Sequence, residues 1–139
     1  MSNDNLAKNL LNEGEDDKPT YPLRYLLRKN RTAMVLFYEG PLNFNNLGVL
    51  ENSKELIKQI KTGNMIIDLS RHTGVDEKGA ISFLEVPEIL KRNHIRYRIC
   101  APPPQLAHLL LEKKTVHPQE IVSGVSAAIS SLSFRILKI

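Results

Sequence analysis

Met65-Ile66-Ile67-Asp68-Leu69-Ser70, followed by Arg71-His72-Thr73-Gly74 and then Val75-Asp76-Glu77-Lys78-Gly79, is the stretch whose reading decides the fold. Met65–Leu69 is short and almost continuously apolar. Runs of that kind are strands covered on both faces, as in parallel sheets flanked by helices. Ser70–Gly74 is polar and reads as a loop. Asp76–Gly79 leads into a helix over about Lys78–Asn93, with Ala80, Ile81, Phe83, Leu84 and Leu90 as its apolar set. Pro87 inside it has no N–H to offer the Phe83 carbonyl, which predicts a kink there.

Upstream, residues 22–39 read as a β-hairpin. Leu23–Leu27 is rich in strand formers, and Lys29-Asn30 supplies a turn. Ala33–Tyr38 is apolar on both pleat faces and ends at Gly40-Pro41. A helix over about Asn46–Thr62 follows, with Leu47, Leu50, Leu56, Ile57 and Ile60 near a 3.6 period, Asn45 or Asn46 as its cap and Gly63 beyond its end. Downstream, Ile95–Cys100 alternates, so one face of that strand is polar. Pro104 opens a helix carrying Leu106, Leu109 and Leu110. Thr115-Val116 is barely long enough for a strand, and Pro118 opens a last helix with Ile121, Val122, Val125, Ile129 and Leu132 on one side. Alternation of strands and helices predicts an α/β fold: one domain, with a mixed sheet of four to five strands opened by an antiparallel hairpin, and about four helices.

With 139 residues there is room for one domain. Residues 1–20 read as an acidic tail, disordered or loosely docked. Asp4, Glu13, Glu15, Asp16 and Asp17 face Lys8 and Lys18, a balance of −3, and Leu6, Leu10 and Leu11 alone bury too little to offset ordering. Residues 21–132 form the domain. Residues 133–139 are a C-terminal extension, ambiguous between strand and tail. The start of the chain has neither a basic nor an apolar leader-like region, and no apolar run reaches bilayer-spanning length, so direct membrane insertion is not expected and a cytoplasmic location is. One cysteine excludes an intrachain disulfide and the usual zinc patterns. No Trp, four Tyr and four Phe argue against a base-stacking surface, and no nucleic-acid partner is expected.

Three pieces in order resemble the STAS domain, named for sulfate transporters and anti-sigma factor antagonists. Glu39–Asn46 is similar to that family's Gly-x-Leu turn ahead of its first helix. Ile66–Ser70 is similar to its hydrophobic-Asp-Leu-Ser strand. Val75–Gly79 stands where the family carries Asp-Ser-Ser-Gly or Asp-Ser-Thr-Gly at a helix start. The similarity spans roughly residues 21–132. In phosphorylatable members the residue before that Gly is the Ser or Thr acceptor, and here it is Lys78, an ammonium with no hydroxyl. Glu77 beside it reads as a favourable first-turn carboxylate, with a fixed mimic of a phosphorylated residue as the bolder alternative. Ser82, one turn on, reads as helix surface.

No catalytic constellation stands out. His72, His94, His108 and His117 include no helical metal pair. Cys100 sits at a strand end as a small hydrophobe, and Asp68 is placed to accept backbone N–H groups after its strand. No phosphate loop, nucleophile elbow or dinucleotide fingerprint is present. The expectation is a non-enzymatic regulatory module with no cofactor and no metal. Ligands of open α/β sheets meet the loops beyond the strands' carboxyl ends. That places a protein-binding surface at Asn43, Phe44, Asn45, Arg71, Asp76, Glu77 and Lys78. Phe44 is either offered there or tucked beneath its loop, and Asp76 is either in the surface or a helix cap. The resemblance implies an anti-sigma factor-like ATPase or kinase, a STAS scaffold or a transporter ATPase as partner. A nucleotide or anionic ligand at the helix N-termini, an accessory transporter subunit, and a homodimer stay open beside it.

Overall fold

A computed structural model describes residues 22–30 and 33–134. The tail expected over residues 1–20 lies outside them, as do the hairpin connection at 31–32 and residues 135–139 of the expected extension.

Five strands form one mixed sheet: β1 (Arg24–Asn30), β2 (Ala33–Leu42), β3 (Asn64–Val75), β4 (Arg96–Cys100) and β5 (Ile121–Val122). They lie side by side in chain order, with β1 antiparallel to β2 and the rest parallel. The helices are α1 (Leu47–Lys58), α2 (Glu77–Phe83), α3 (Glu85–Arg92), α4 (Pro104–Glu112) and α5 (Val125–Phe134). α2 and α3 are halves of one predicted helix, broken at Leu84 because Pro87 cannot bond the Phe83 carbonyl.

The pleat sorts the core. Leu36, Tyr38, Leu42, Met65, Ile67 and Leu69 lie in one cluster with Leu50, Ile57, Phe83, Val86, Leu90, Leu106 and Leu110 of α1–α4. Inside it the Tyr38 hydroxyl meets Ser53 Oγ at 2.7 Å, and burial raises the phenol well above its usual pKa. Lys54 is also nearly fully buried. Its Nζ donates to Glu51 at 2.8 Å, Ser82 Oγ at 2.9 Å and Glu85 at 3.0 Å, fastening α1 to the α2–α3 unit. The opposite sheet face holds a smaller cluster. Ala33, Val35, Ile66 and Cys100 meet Ala128 and Leu132 of α5. The Cys100 thiol, buried and near Asp68, is pushed up to about 12. Arg96 and Arg98, expected on an open polar face, lie under α5. Arg96 Nη1 donates to the Leu132 carbonyl at 3.1 Å, and Arg98 Nε to Ser131 Oγ at 2.7 Å.

Several expected boundaries are corrected. β1 continues through Lys29-Asn30, so these residues pair with Met34 and Ala33 instead of turning. β2 does not stop at Gly40-Pro41. With Gly40 at φ 115°, it runs on to Leu42, and the register shift there leaves Thr73 of β3 as the extra residue. The longer β2 gives Arg71, His72, Gly74 and Val75 pairing partners, so β3 extends through the stretch read as a loop. α1 ends at Lys58, not Thr62, and Asn93 Nδ2 donates to the freed Ile60 carbonyl at 2.9 Å. The fifth strand is Ile121-Val122 rather than Thr115-Val116. Pro118 opens a 3₁₀ turn, and the last helix starts only at Val125 and runs on to Phe134.

Candidate functional site

Because β2 and β3 run parallel to Leu42↔Val75, the chain leaves both strands on the same edge of the sheet. From β2 it enters the 3₁₀ turn Phe44–Asn46, and from β3 it enters α2. One carboxylate joins the two exits. Asp76 Oδ1 accepts from Gly79 N at 2.8 Å, capping α2, and Asp76 Oδ2 accepts from Phe44 N at 3.0 Å. The Asp76 amide donates to the Leu42 carbonyl at 3.1 Å. The Gly79 and then the Phe44 amide hold the Asp76 carboxyl below its usual range. Gly79 is required by space. A Cβ on it would collide with the Leu42 carbonyl and lie 2.8 Å from Asn43 N.

A second lock lies behind the first. Asn46 is buried and makes no cap of its own helix, against expectation. Its Oδ1 accepts from Leu23 N at 3.2 Å, and its Nδ2 donates to Asn43 Oδ1 at 2.8 Å and to the Pro41 carbonyl at 3.3 Å. These bonds use the backbone groups that a bulged strand end leaves over.

On this fixed frame the outward side chains are exposed. Phe44 is 61% exposed, so it is offered rather than tucked under. Asn45, Glu77 and Lys78 are exposed around it, and Asn43 is half-buried. Ile81, one turn past Glu77 and Lys78, is 51% exposed. The periodicity of Ala80, Ile81, Phe83 and Leu84 had assigned it to the core, so this member of the edge was missed. Its signal would have been the Gly79-Ala80 pair, whose burial fixes which side of α2 faces in.

Arg71 is not with this group. It pairs with Glu39 inside the sheet, and its guanidinium carbon lies 5.4 Å from the Phe37 ring centroid on the α5 side. Asp68 Oδ1 accepts from Ser70 N at 2.9 Å, which turns the chain at a β3 irregularity. Among the described residues no group of three or more metal-ligating side chains comes together. No described helix is long and apolar enough to cross a membrane.

The STAS domain family model matches residues 24–120. The chain belongs to the STAS domain family. That match takes in β1 through the 3₁₀ turn at Pro118–Glu120, and so both exits and Asp76. Among solved structures the STAS chain is similar in fold to RsbS from Moorella thermoacetica carrying a serine-to-glutamate substitution. The TM-score is 0.63 at 16% identity, covering 84% of this chain and 99% of that one. It is also similar to the anti-sigma factor antagonist SpoIIAA in its unphosphorylated form, with TM-score 0.55, 16% identity, and 84% and 100% coverage. A third is the STAS domain of a SulP transporter from Vibrio cholerae, with TM-score 0.59, 15% identity, and 81% and 89% coverage. No curated protein matches the chain.

Proposed function

We propose that this STAS domain is a non-catalytic regulatory module that docks another protein through the edge built on Asp76. The observation that carries the reading is the pairing of a rigid frame with exposed apolar groups. Asp76 and Asn46 fix the backbone, and Phe44 and Ile81 stand out from it among Asn45, Glu77 and Lys78. Aromatic and aliphatic anchors inside a mixed-charge rim suit a protein interface, and a preorganised backbone lowers the ordering cost of binding. Asn43, Asp76 and Gly79 serve as frame, and Arg71 belongs to a different surface. An anti-sigma factor-like kinase, a STAS scaffold or a transporter ATPase is the class of partner that the family suggests, in the cytoplasm.

Lys78 at the acceptor position makes docking constitutive rather than phosphate-gated. A phosphate cannot be placed there, and the Ser82 hydroxyl one turn on is engaged by Lys54. The nucleotide reading is weaker, because the Gly79 amide at the start of α2 already serves the Asp76 carboxylate. Affinity capture on the immobilised chain from its native lysate tests the proposal. A specific protein should be retained, and titration with nucleotides should give no heat. The intact mass should be unchanged after incubation with lysate and ATP. Stoichiometric phosphate, or a nucleotide that binds and no retained protein, would overturn it.

A further inference from the structure

The two halves of the α5 side of the sheet are treated differently. Strand register aligns three rows there: Arg24, Glu39 and Arg71; Leu26, Phe37 and Asp68; and Arg28, Val35 and Ile66. α5 covers Val35 and Ile66. Beyond it, Arg24, Leu26, Phe37, Glu39 and Arg71 line an open hollow. Leu26 is 49% exposed and Phe37 half-buried. The hollow continues to Pro22, the first described residue. Arg24 is tied to Glu39 at 2.7 Å, and Arg71 lies over Phe37. The Arg24 and Arg71 guanidinium groups thus border the exposed Leu26 and the half-buried Phe37.

We propose that this hollow is the docking site of the chain's own N-terminal segment, residues 1–21. The order of residues along that segment matches the order of groups along the hollow. Near Pro22 the hollow presents Arg24 and Arg71 with Glu39, and in the sequence the acidic run Glu13, Glu15, Asp16 and Asp17 stands between the leucines and Pro22, with Lys18 after it. Deeper in, the hollow presents Leu26 and Phe37, and farther along, the sequence presents Leu10, Leu11 and Leu6. Reach is sufficient. Leu26 lies about 13 Å along the strand from Pro22. The eleven residues from Leu11 to Pro22 span up to about 36 Å when extended. Charge is complementary: the first 18 residues carry a balance of −3, and Arg24 and Arg71 against Glu39 leave the hollow's lining at +1. The segment alone lacks the apolar area to order itself. Set on Leu26 and Phe37 it covers apolar surface from both sides, and ion pairs at the rim fix its direction. This contact is independent of the docking edge, and it gives Arg71 a role within the chain.

Paramagnetic broadening in the full-length chain tests this. A nitroxide is attached through Asn12→Cys; the native Cys100 is fully buried and leaves the label selective. The amide signals of Leu26 and Phe37 should be lost in the isotope-labelled, spin-labelled chain. They should persist in an equal mixture of isotope-labelled unmodified chain with spin-labelled chain lacking the isotope. Leu10→Asp with Leu11→Asp should restore them, and so should Arg71→Glu at moderate salt. Intact signals in the first sample would overturn the proposal. Loss in the mixed sample would also overturn it, by making a second copy the occupant.

Discussion

The two sheet faces of this STAS domain differ in how they are closed. One is sealed by four helices, with Leu36, Tyr38, Met65, Ile67, Phe83 and Leu90 fully or nearly fully buried. Among the described residues the other has α5 alone, and Leu26, Phe37 and Arg71 line an open hollow beyond it. The difference is one of material. α1–α4 follow the strands as crossovers and must cover the face they cross, whereas α5 is the last described element and packs chiefly on β3, β4 and β5. The sealed face therefore supplies stability and positions the Asp76 edge. The half-closed face supplies surface.

Substitutions can break this division. The largest effect is expected at Gly79, where any Cβ forces α2 away from the end of β2. Gly79→Ala should cost about 3 kcal/mol or more, read by chemical denaturation, and should disorder the edge. Phe83→Ala on the sealed face should cost about 3–5 kcal/mol. Leu132→Ala, equally buried but within the smaller cluster, should cost about 2–3 kcal/mol. Equal losses would show that α5 carries as much of the core as the four helices opposite.

A smaller effect is expected at Asp76, and pH isolates it. Its folded pKa is depressed, so its contribution is fully present above the ordinary carboxylate range near pH 4 and is lost as pH falls through the folded value. Asp76→Ala should lower the melting temperature at neutral pH, and the gap from the unmodified chain should close in acid. A gap that persists in acid would mean the loss is steric rather than due to the two N–H bonds that the carboxylate accepts.

The sheet was legible in the sequence where burial imposed a pattern. Met65–Leu69 and Ala33–Tyr38 announce themselves as covered strands, and Pro87 announces the helix break. What was not legible depends on pairing. Ser70–Gly74 is polar and half-exposed, and only the extension of β2 beside it, which β3 follows with two register shifts, makes it a strand. Ile121-Val122 fit the helical period of Val125 and Ile129, and only their bonding to β4 separates them. At the edge, Asp76 was readable as a residue before a helix. Its second bond, to Phe44, joins positions 32 apart in sequence and has no local trace. The same holds for Arg71, which shares a polar stretch with the edge residues but points to the other surface.

The central claim is that the Asp76 edge is the docking surface, and partner affinity measures it most directly. Phe44→Ser and Ile81→Ser lie at exposed positions and should change stability by less than about 0.5 kcal/mol. Leu111→Ser, at a position 39% exposed on α4, is the matched control away from the edge. By calorimetric titration with the captured partner, each edge variant should bind about tenfold or more weakly, while Leu111→Ser binds as the unmodified chain does. Unchanged affinity in both edge variants would contradict the account.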